Sequence, residues 1–309
     1  MNLITVIPLS RQKVAPTLSY FTSSTVPIGA IVTVPLRSKS ISAIVTDTRP
    51  VADVKADVKA APFEIRRLGA VKATAFFPPA FIDACRTLAL HYATTTGSVI
   101  DSLVPDILLE NAHKITSPHI TPQETATAPT IHETYVVQAD ENDRISAWRS
   151  LIRQEFARKK SIIFHVPTHE NARNLFALLE KGIEGYIFTL HAKLAKKEIV
   201  DTWELIATTE HPVVIIRAGS FTLTPRSDIS TIIIESENGR GWISQKHPYI
   251  DIRTALETIH SLDKNPCSLY LADSLVRIET LKRLEDNMIT QGSPLNGVQS
   301  RLPPIVLLI

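Results

Sequence analysis

From residue 135 onward one pattern recurs and restricts the fold more than any other feature: short runs that are apolar at nearly every position, each followed by a stretch of helical periodicity. The runs at 161–166, 213–216, 231–234 and 268–271 are dominated by Ile, Val, Leu and aromatic residues, with shorter ones at 135–137 and 186–188. A strand with one wet face alternates apolar and polar residues, whereas a continuously apolar strand must be covered on both faces. Between the runs, apolar spacing predicts helices at 145–158 (Ile145, Trp148, Leu151, Ile152 and Phe156 on one side), 169–181, 195–208 and 250–261. Strand–helix alternation of this kind predicts a parallel sheet between helical layers, an α/β lobe of nucleotide-binding architecture.

The first third reads differently. Runs at 4–7, 31–34 and 42–45 are β-branched and are interrupted by Pro8, Pro27-Ile28-Gly29 and Pro35. Apolar residues at 81, 82, 85, 88, 89 and 92 then follow a helical period. Residues 110–134 are rich in Thr and Pro, lack aromatic residues and show no steady period, as expected of a linker. The expected division is a small β-rich domain with helices at 1–109, a linker at 110–134 and the α/β lobe at 135–309.

Hydrophobic residues make up 44% and charged residues 21%, which excludes a disordered chain. No apolar run approaches the ~20 residues of a membrane span, and no basic segment leads into an apolar one at the start. Cys85 and Cys267 are the only cysteines, too few for a disulfide framework or a four-cysteine zinc site, and a reducing cytoplasm is the expected compartment. His165 and His169 are separated by Pro167, so they do not share a helix face, and no metal site is expected. Net charge is +2, but residues 1–75 hold ten basic and four acidic side chains, a net +6, which leaves −4 for the remainder. Such a module suits contact with backbone phosphates, with Arg37 and Lys39 among the candidates, although a solvated basic face is the plainer reading of charge alone.

Two stretches carry a family resemblance. Ile4-Thr5-Val6-Ile7-Pro8-Leu9, Leu18-Ser19-Tyr20, Gly29 through Leu36, and Ser42-Ala43-Ile44-Val45 resemble, in order and spacing, the N-terminal domain of the primosomal protein N′ family of replication-restart helicases. Tyr92, Gly97-Ser98-Val99-Ile100 and Leu103-Val104-Pro105 resemble the close of that domain. Leu190-His191-Ala192-Lys193-Leu194, with Glu198 and Trp203 after it, is similar to a segment of the family's first RecA-like helicase lobe. The resemblance implies binding to the 3′ end of a nascent strand at a DNA fork. It also implies a terminal-nucleotide pocket at Leu18, Ser19 and Tyr20, where the family has phenylalanine, aspartate and tyrosine. Ser19, a neutral acceptor, implies a weakened preference for a free 3′-hydroxyl. Arg240 and Trp242 fall in the family's aromatic-rich loop and are candidates to grip a single strand.

The departures bear on catalysis. A phosphate-binding loop needs glycines, a lysine and a Ser/Thr hydroxyl for magnesium. Aligned on the family, that loop falls on residues 139–146 without any glycine, with Ile145 at the lysine's place and only Ser146 retained. The family's strand-end acids fall on Glu235-Ser236-Glu237-Asn238, and its coupling segment on Asp273-Ser274-Leu275. Ile145, Ser146, Glu235 and Glu237 therefore mark a degenerate nucleotide site, with exposed acids at a sheet edge as the plain alternative for the two glutamates. No catalytic residue and no cofactor is expected, neither ATP nor magnesium. Residues 302–308 resemble the family's passage between its two helicase lobes, and the linker stands where the family carries a winged-helix domain. The expectation is a DNA-binding replication-restart protein acting on forked or 3′-tailed DNA without ATPase activity. Replication-restart or single-strand-binding proteins are its further candidate partners, and no membrane is. The alternative is a residual ATP-dependent 3′–5′ helicase, or half of one completed by another chain.

Overall fold

The computed structural model describes residues 1–9, 15–36, 39–53, 65–74, 76–116 and 133–292. Arg37, the linker from 117 to 132 and the passage at 302–308 lie outside them. Five antiparallel strands form the N-terminal sheet: β1 (Asn2–Pro8), β2 (Leu18–Thr22), β3 (Ile31–Leu36), β4 (Lys39–Pro50) and β5 (Val71–Ala73), in the order β2-β1-β4-β3-β5. The sheet closes on itself. Phe21 donates to Arg66 and accepts from Leu68, while Thr33 exchanges bonds with Gly69 and Ala70, so one segment joins both edges. Closure removes the unpaired strand edges of a small sheet. Ile4, Val6, Tyr20, Val32, Val34 and Val45 fill the inside.

Three helices follow, α1 (Pro79–His91), α2 (Thr96–Leu103) and α3 (Asp106–Glu110). The second sheet holds β6 (Thr134–Gln138), β7 (Ser161–Val166), β8 (Ile187–Leu190), β9 (Val214–Ala218), β10 (Ile229–Glu235), β11 (Ser268–Asp273) and β12 (Thr290–Gln291). All are parallel, in the order β12-β6-β11-β10-β7-β9-β8. With α4 (Glu141–Ala157), α5 (His169–Leu179), α6 (Lys196–Thr208), α7 (Ile252–Leu262) and α8 (Ile278–Glu285), this is the parallel-sheet α/β lobe expected from the sequence. No described helix is long and apolar enough to cross a membrane.

The two faces of the parallel sheet have different covers. Phe164, Ile216 and Ile233 join Trp148, Ile152 and Leu175 of α4 and α5. On the opposite face Ile163, Ile215, Ile234 and Leu271 share one cluster with Trp203, Leu256 and residues of the N-terminal helices, among them Phe81, Leu88, Val99 and Leu103. Polar bonds follow the same seam: Thr222 Oγ1 donates to the Leu103 carbonyl (2.9 Å), the Asp251 amide to the Tyr92 hydroxyl (3.0 Å), and Lys246 Nζ to Asp106 (2.7 Å). Residues 110–116, expected at the start of the linker, are packed instead. Ala112 and Ile115 are buried, and the Trp203 indole donates to the Thr116 carbonyl at 2.9 Å. The sequence pattern missed this because 106–116 is too short to display a period.

Gly29 sits in the left-handed region (φ +83°), and a Cβ there would lie 2.1 Å from the Phe77 carbonyl oxygen. Gly182 has a similar φ of +89° but open space around it. Gly182→Ala should therefore cost only the left-handed backbone penalty, about 1–2 kcal/mol. Gly29→Ala should exceed about 3 kcal/mol, because the barrel must also yield to a backbone contact. Urea unfolding of both variants checks this; equal costs would contradict the close approach of Gly29 to Phe77.

Candidate functional site

In a parallel sheet, ligands bind outside the carboxyl ends of the strands. There β6 ends at Gln138, β10 at Glu235 and β11 at Asp273. Only Ala139 and Asp140 separate β6 from α4, so residues 141–146, aligned with part of a phosphate-binding loop, are helical. Asp140 is the N-cap, and Glu141 and Asp143 lie in the first turn, where carboxylates interact favourably with the helix dipole. The dipole end that binds phosphate in other proteins is thus faced by this chain's own acids.

Arg144, one turn into α4, points into the strand ends and is 4% exposed. Its Nε and Nη2 lie 2.8 and 2.7 Å from Glu235 Oε1, and Nη1 donates to the Ala139 carbonyl and to Ser274 Oγ (3.0 Å). Trp148, four residues on and so on the same helix face, donates its indole N–H to Glu235 Oε2 at 2.8 Å. Both carboxylate oxygens of Glu235 are therefore engaged by α4. Burial pushes the Glu235 carboxyl above the usual range, while Arg144 and the indole pull against that rise. Beside this network remains a cavity of about 60 Å³, lined by Glu141, Ile145, Asn171 and Ser236 among others. That is room for about two waters at ~30 Å³ each, against roughly 300–1,000 Å³ for ligand pockets in general.

The other residues of the expected nucleotide site do not gather here. Ile145 is buried in the apolar cluster beneath α4, and Ser146 is exposed with its hydroxyl donating to the Asn142 carbonyl at 2.8 Å. Neither glutamate is an exposed edge acid: Glu235 is 5% exposed and Glu237 fully buried. Glu237 accepts from the Arg277 amide (2.8 Å), the Arg277 guanidinium and Thr280 Oγ1 (2.7 Å), fixing the start of α8. Trp242 also departs from expectation. It is 2% exposed, donates its indole N–H to the Ser236 carbonyl (3.0 Å), and carries the Arg253 guanidinium 5.7 Å above its ring, so no base can stack on it. Gly241 (φ +105°) lets this loop pass over Thr168, whose Cγ2 would lie 2.9 Å from an added Cβ. Arg240 is exposed beside it.

In the barrel, Tyr20 is a core residue, 5% exposed, whose hydroxyl donates to the Pro35 carbonyl at 2.9 Å. It is no wall of an open pocket. Leu18 packs on the same inner cluster, Ser19 is half-buried on the outer face, and Lys39 is exposed. The register reveals an outward row that sequence reasoning passed over. Leu3 pairs with Phe21 on one side and Arg49 on the other, and Phe21 with Arg67. Cross-strand partners share a face, so Arg49, Leu3, Phe21 and Arg67 form one line, with Ser19 and Thr5 paired next to it. Phe21 is half-buried and both arginines are exposed, Arg49 also pairing with Asp47 at 2.7 Å. The alternation was available as a signal: with Leu18 and Tyr20 inward, Ser19 and Phe21 face outward.

Arg144→Met should cost about 3–5 kcal/mol at neutral pH, because it leaves Glu235 ionised and uncompensated in the interior. Since the folded Glu235 carboxyl already titrates above its unfolded value, and loses its stabilising cation in the variant, folding takes up a proton. Stability must then fall as pH rises through that range. The variant's deficit should accordingly shrink towards pH 5, and adding Glu235→Gln should restore most of it. Urea unfolding at pH 5 and 7 is the check; a pH-independent deficit contradicts the pairing.

A family model described as the 3′ DNA-binding domain (3′BD) of PriA matches residues 6–105, the barrel with α1 and α2. The replication restart protein PriA of Helicobacter pylori (strain J99 / ATCC 700824) is 22% identical over 293 residues, covering 93% of this chain. The chain spans 45% of that relative's length. Among solved structures, Mss116p DEAD-box helicase domain 2 bound to an RNA duplex aligns at TM-score 0.37 and 13% identity, over 53% of this chain and 65% of that one. Xpd4 of S. tokodaii aligns at TM-score 0.29 and 13% identity, over 81% and 48%. The chain is PriA-like: residues 6–105 match a PriA-type 3′ DNA-binding domain, and a parallel α/β lobe follows it.

Proposed function

We propose that this protein binds forked or 3′-tailed DNA in replication restart and does not hydrolyse ATP. The observation that carries the reading is the Arg144 guanidinium seated on Glu235 at the strand ends. A magnesium–nucleotide site presents a carboxylate to a metal and backbone amides with a lysine to phosphates. Here the carboxylate is neutralised by an arginine, the helix start is lined by Glu141 and Asp143, and no lysine occupies α4. These residues do not fit a magnesium-bound nucleotide. DNA contact is supported by the match to a 3′ DNA-binding domain and by the outward row of Arg49, Phe21 and Arg67. Phe21 offers a ring for an unpaired base, Arg49, Arg67 and Lys39 face phosphates, and exposed Arg240 extends the basic surface onto the lobe. The lobe itself serves as a platform for DNA or for replication-restart or single-strand-binding proteins.

Fluorescence anisotropy of the full chain on forked, 3′-tailed and blunt duplexes, across a salt series, tests this. Affinity for fork and tail should exceed that for blunt ends and fall linearly on log–log axes with salt. Phe21→Ala should weaken binding by about 1–3 kcal/mol, and Arg67→Ala should reduce the salt slope by about one. Because Ser19 is a neutral acceptor, 3′-hydroxyl and 3′-phosphate ends should differ by less than about tenfold, ~1.4 kcal/mol. Affinity flat in salt, or unmoved by both variants, would sink the proposed interface.

A further inference from the structure

Among the described residues, the buried Arg144 and the half-buried Arg226, Arg253 and Arg277 each pair with a carboxylate. Arg144 pairs with Glu235, Arg226 with Asp228 (2.7 Å), Arg253 with Asp251 (2.7 Å) and Arg277 with Glu237. Arg217 on β9 does not. It is 1% exposed, its Nη1 donates to the Leu223 carbonyl at 3.0 Å, and its Nε has no partner among the described residues. No carboxylate pairs with it among them. Burial draws its guanidinium down to about 9, which still leaves it charged at neutral pH.

Arg217 lines a cavity of about 140 Å³ where the start of α1 meets the lobe. Phe81, Ile163 and Ile232 supply apolar walls, and Thr224 lines it too, its Oγ1 buried and also without a partner. His165, the cross-strand neighbour of Arg217, offers no compensating charge. It is fully buried, and burial and the nearby guanidinium hold its imidazole neutral. Asp263 lines the cavity as well, but no ion pair joins it to Arg217 among the described residues, and its Oδ1 instead accepts from the Asn265 backbone and side-chain amides (3.0 and 3.1 Å). A lone charge in such surroundings is strongly unfavourable unless it is compensated, and a water can satisfy Nε without neutralising it.

We propose that the cavity between α1 and the lobe is a binding site for a small oxyanion of phosphate size, with Arg217 as its counter-charge and Thr224 as a hydroxyl donor. A planar guanidinium presents its N–H groups to two oxygens at once, and the threonine hydroxyl adds a third donor. The volume equals that of about five waters at ~30 Å³ each, enough for a phosphate group and too small for a whole nucleotide. The site lies on the face of the sheet opposite α4, away from the Arg144–Glu235 network. It does not depend on the reading of the strand ends.

Thermal unfolding of the full chain in sodium phosphate, against sodium chloride at matched ionic strength, provides the test, with dAMP as a second arm. Phosphate should raise the melting temperature by a few degrees in a saturable way, as a ligand bound only by the folded state does. Arg217→Met and Thr224→Val should each abolish or greatly weaken the rise. Arg217→Met should melt no lower than the parent in chloride, because it removes an uncompensated charge. Should it fail to fold, Thr224→Val, which preserves volume, carries the comparison alone. A rise with dAMP at lower concentration than with orthophosphate assigns the anion to a nucleotide's phosphate; a rise with orthophosphate alone assigns it to the free ion. Absence of a saturable rise with either, or the same rise in both variants, overturns the site.

Discussion

The ion pair between Arg144 and Glu235 ties together the parts of the lobe that a ligand would otherwise join. Through one guanidinium, α4 reaches the ends of β6 (Ala139 carbonyl), β10 (Glu235) and β11 (Ser274), and Trp148 closes the second carboxylate oxygen. A buried pair is stabilising only if the remaining hydrogen-bonding capacity of both ions is met, since desolvation costs several kcal/mol per ion. Here the additional donors and acceptors come from residues one helical turn or one strand apart. The guanidinium occupies the strand-end crevice where only two residues separate α4 from β6.

A second constraint is the shared core beneath the sheet. Because α1 and α2 share one apolar cluster with α6, α7 and the sheet face that α4 and α5 leave bare, the barrel's helices are part of the lobe's interior. Phe81, Val99 and Leu103 would otherwise expose apolar area worth roughly 1.5–3 kcal/mol per side chain. The barrel is thereby held against the lobe, while its Arg49–Leu3–Phe21–Arg67 row remains on the outer face of its strands. On the proposed reading, DNA contact needs no hinge between the two units.

Much of the architecture was legible because it rests on periodicity. The continuous apolar runs predicted the central parallel strands, and the resemblance placed the barrel and the lobe in order. Short or weakly periodic elements were not legible: α2, α3, α8 and β12 are too brief for a pattern to stand out. At the site, the loss of glycines and lysine in 139–146 was plain, but not what had replaced them. A loop alignment carries no helical phase and gives Arg144 no role; once α4 starts at Glu141, Arg144 and Trp148 share a face. Trp242 and Tyr20 misled for one reason. The family resemblance placed each at a DNA contact, but each carries one polar hydrogen that an internal carbonyl satisfies, so each is buried instead.

The central claim is that the strand-end site is closed from within. The most direct measurement is phosphate release from magnesium–ATP by the full chain with saturating forked DNA, compared with the Glu235→Gln variant. The account predicts no DNA-stimulated release and no difference between the two proteins. Release that DNA stimulates and Glu235→Gln abolishes would show Glu235 serving a nucleotide rather than Arg144, and would contradict it.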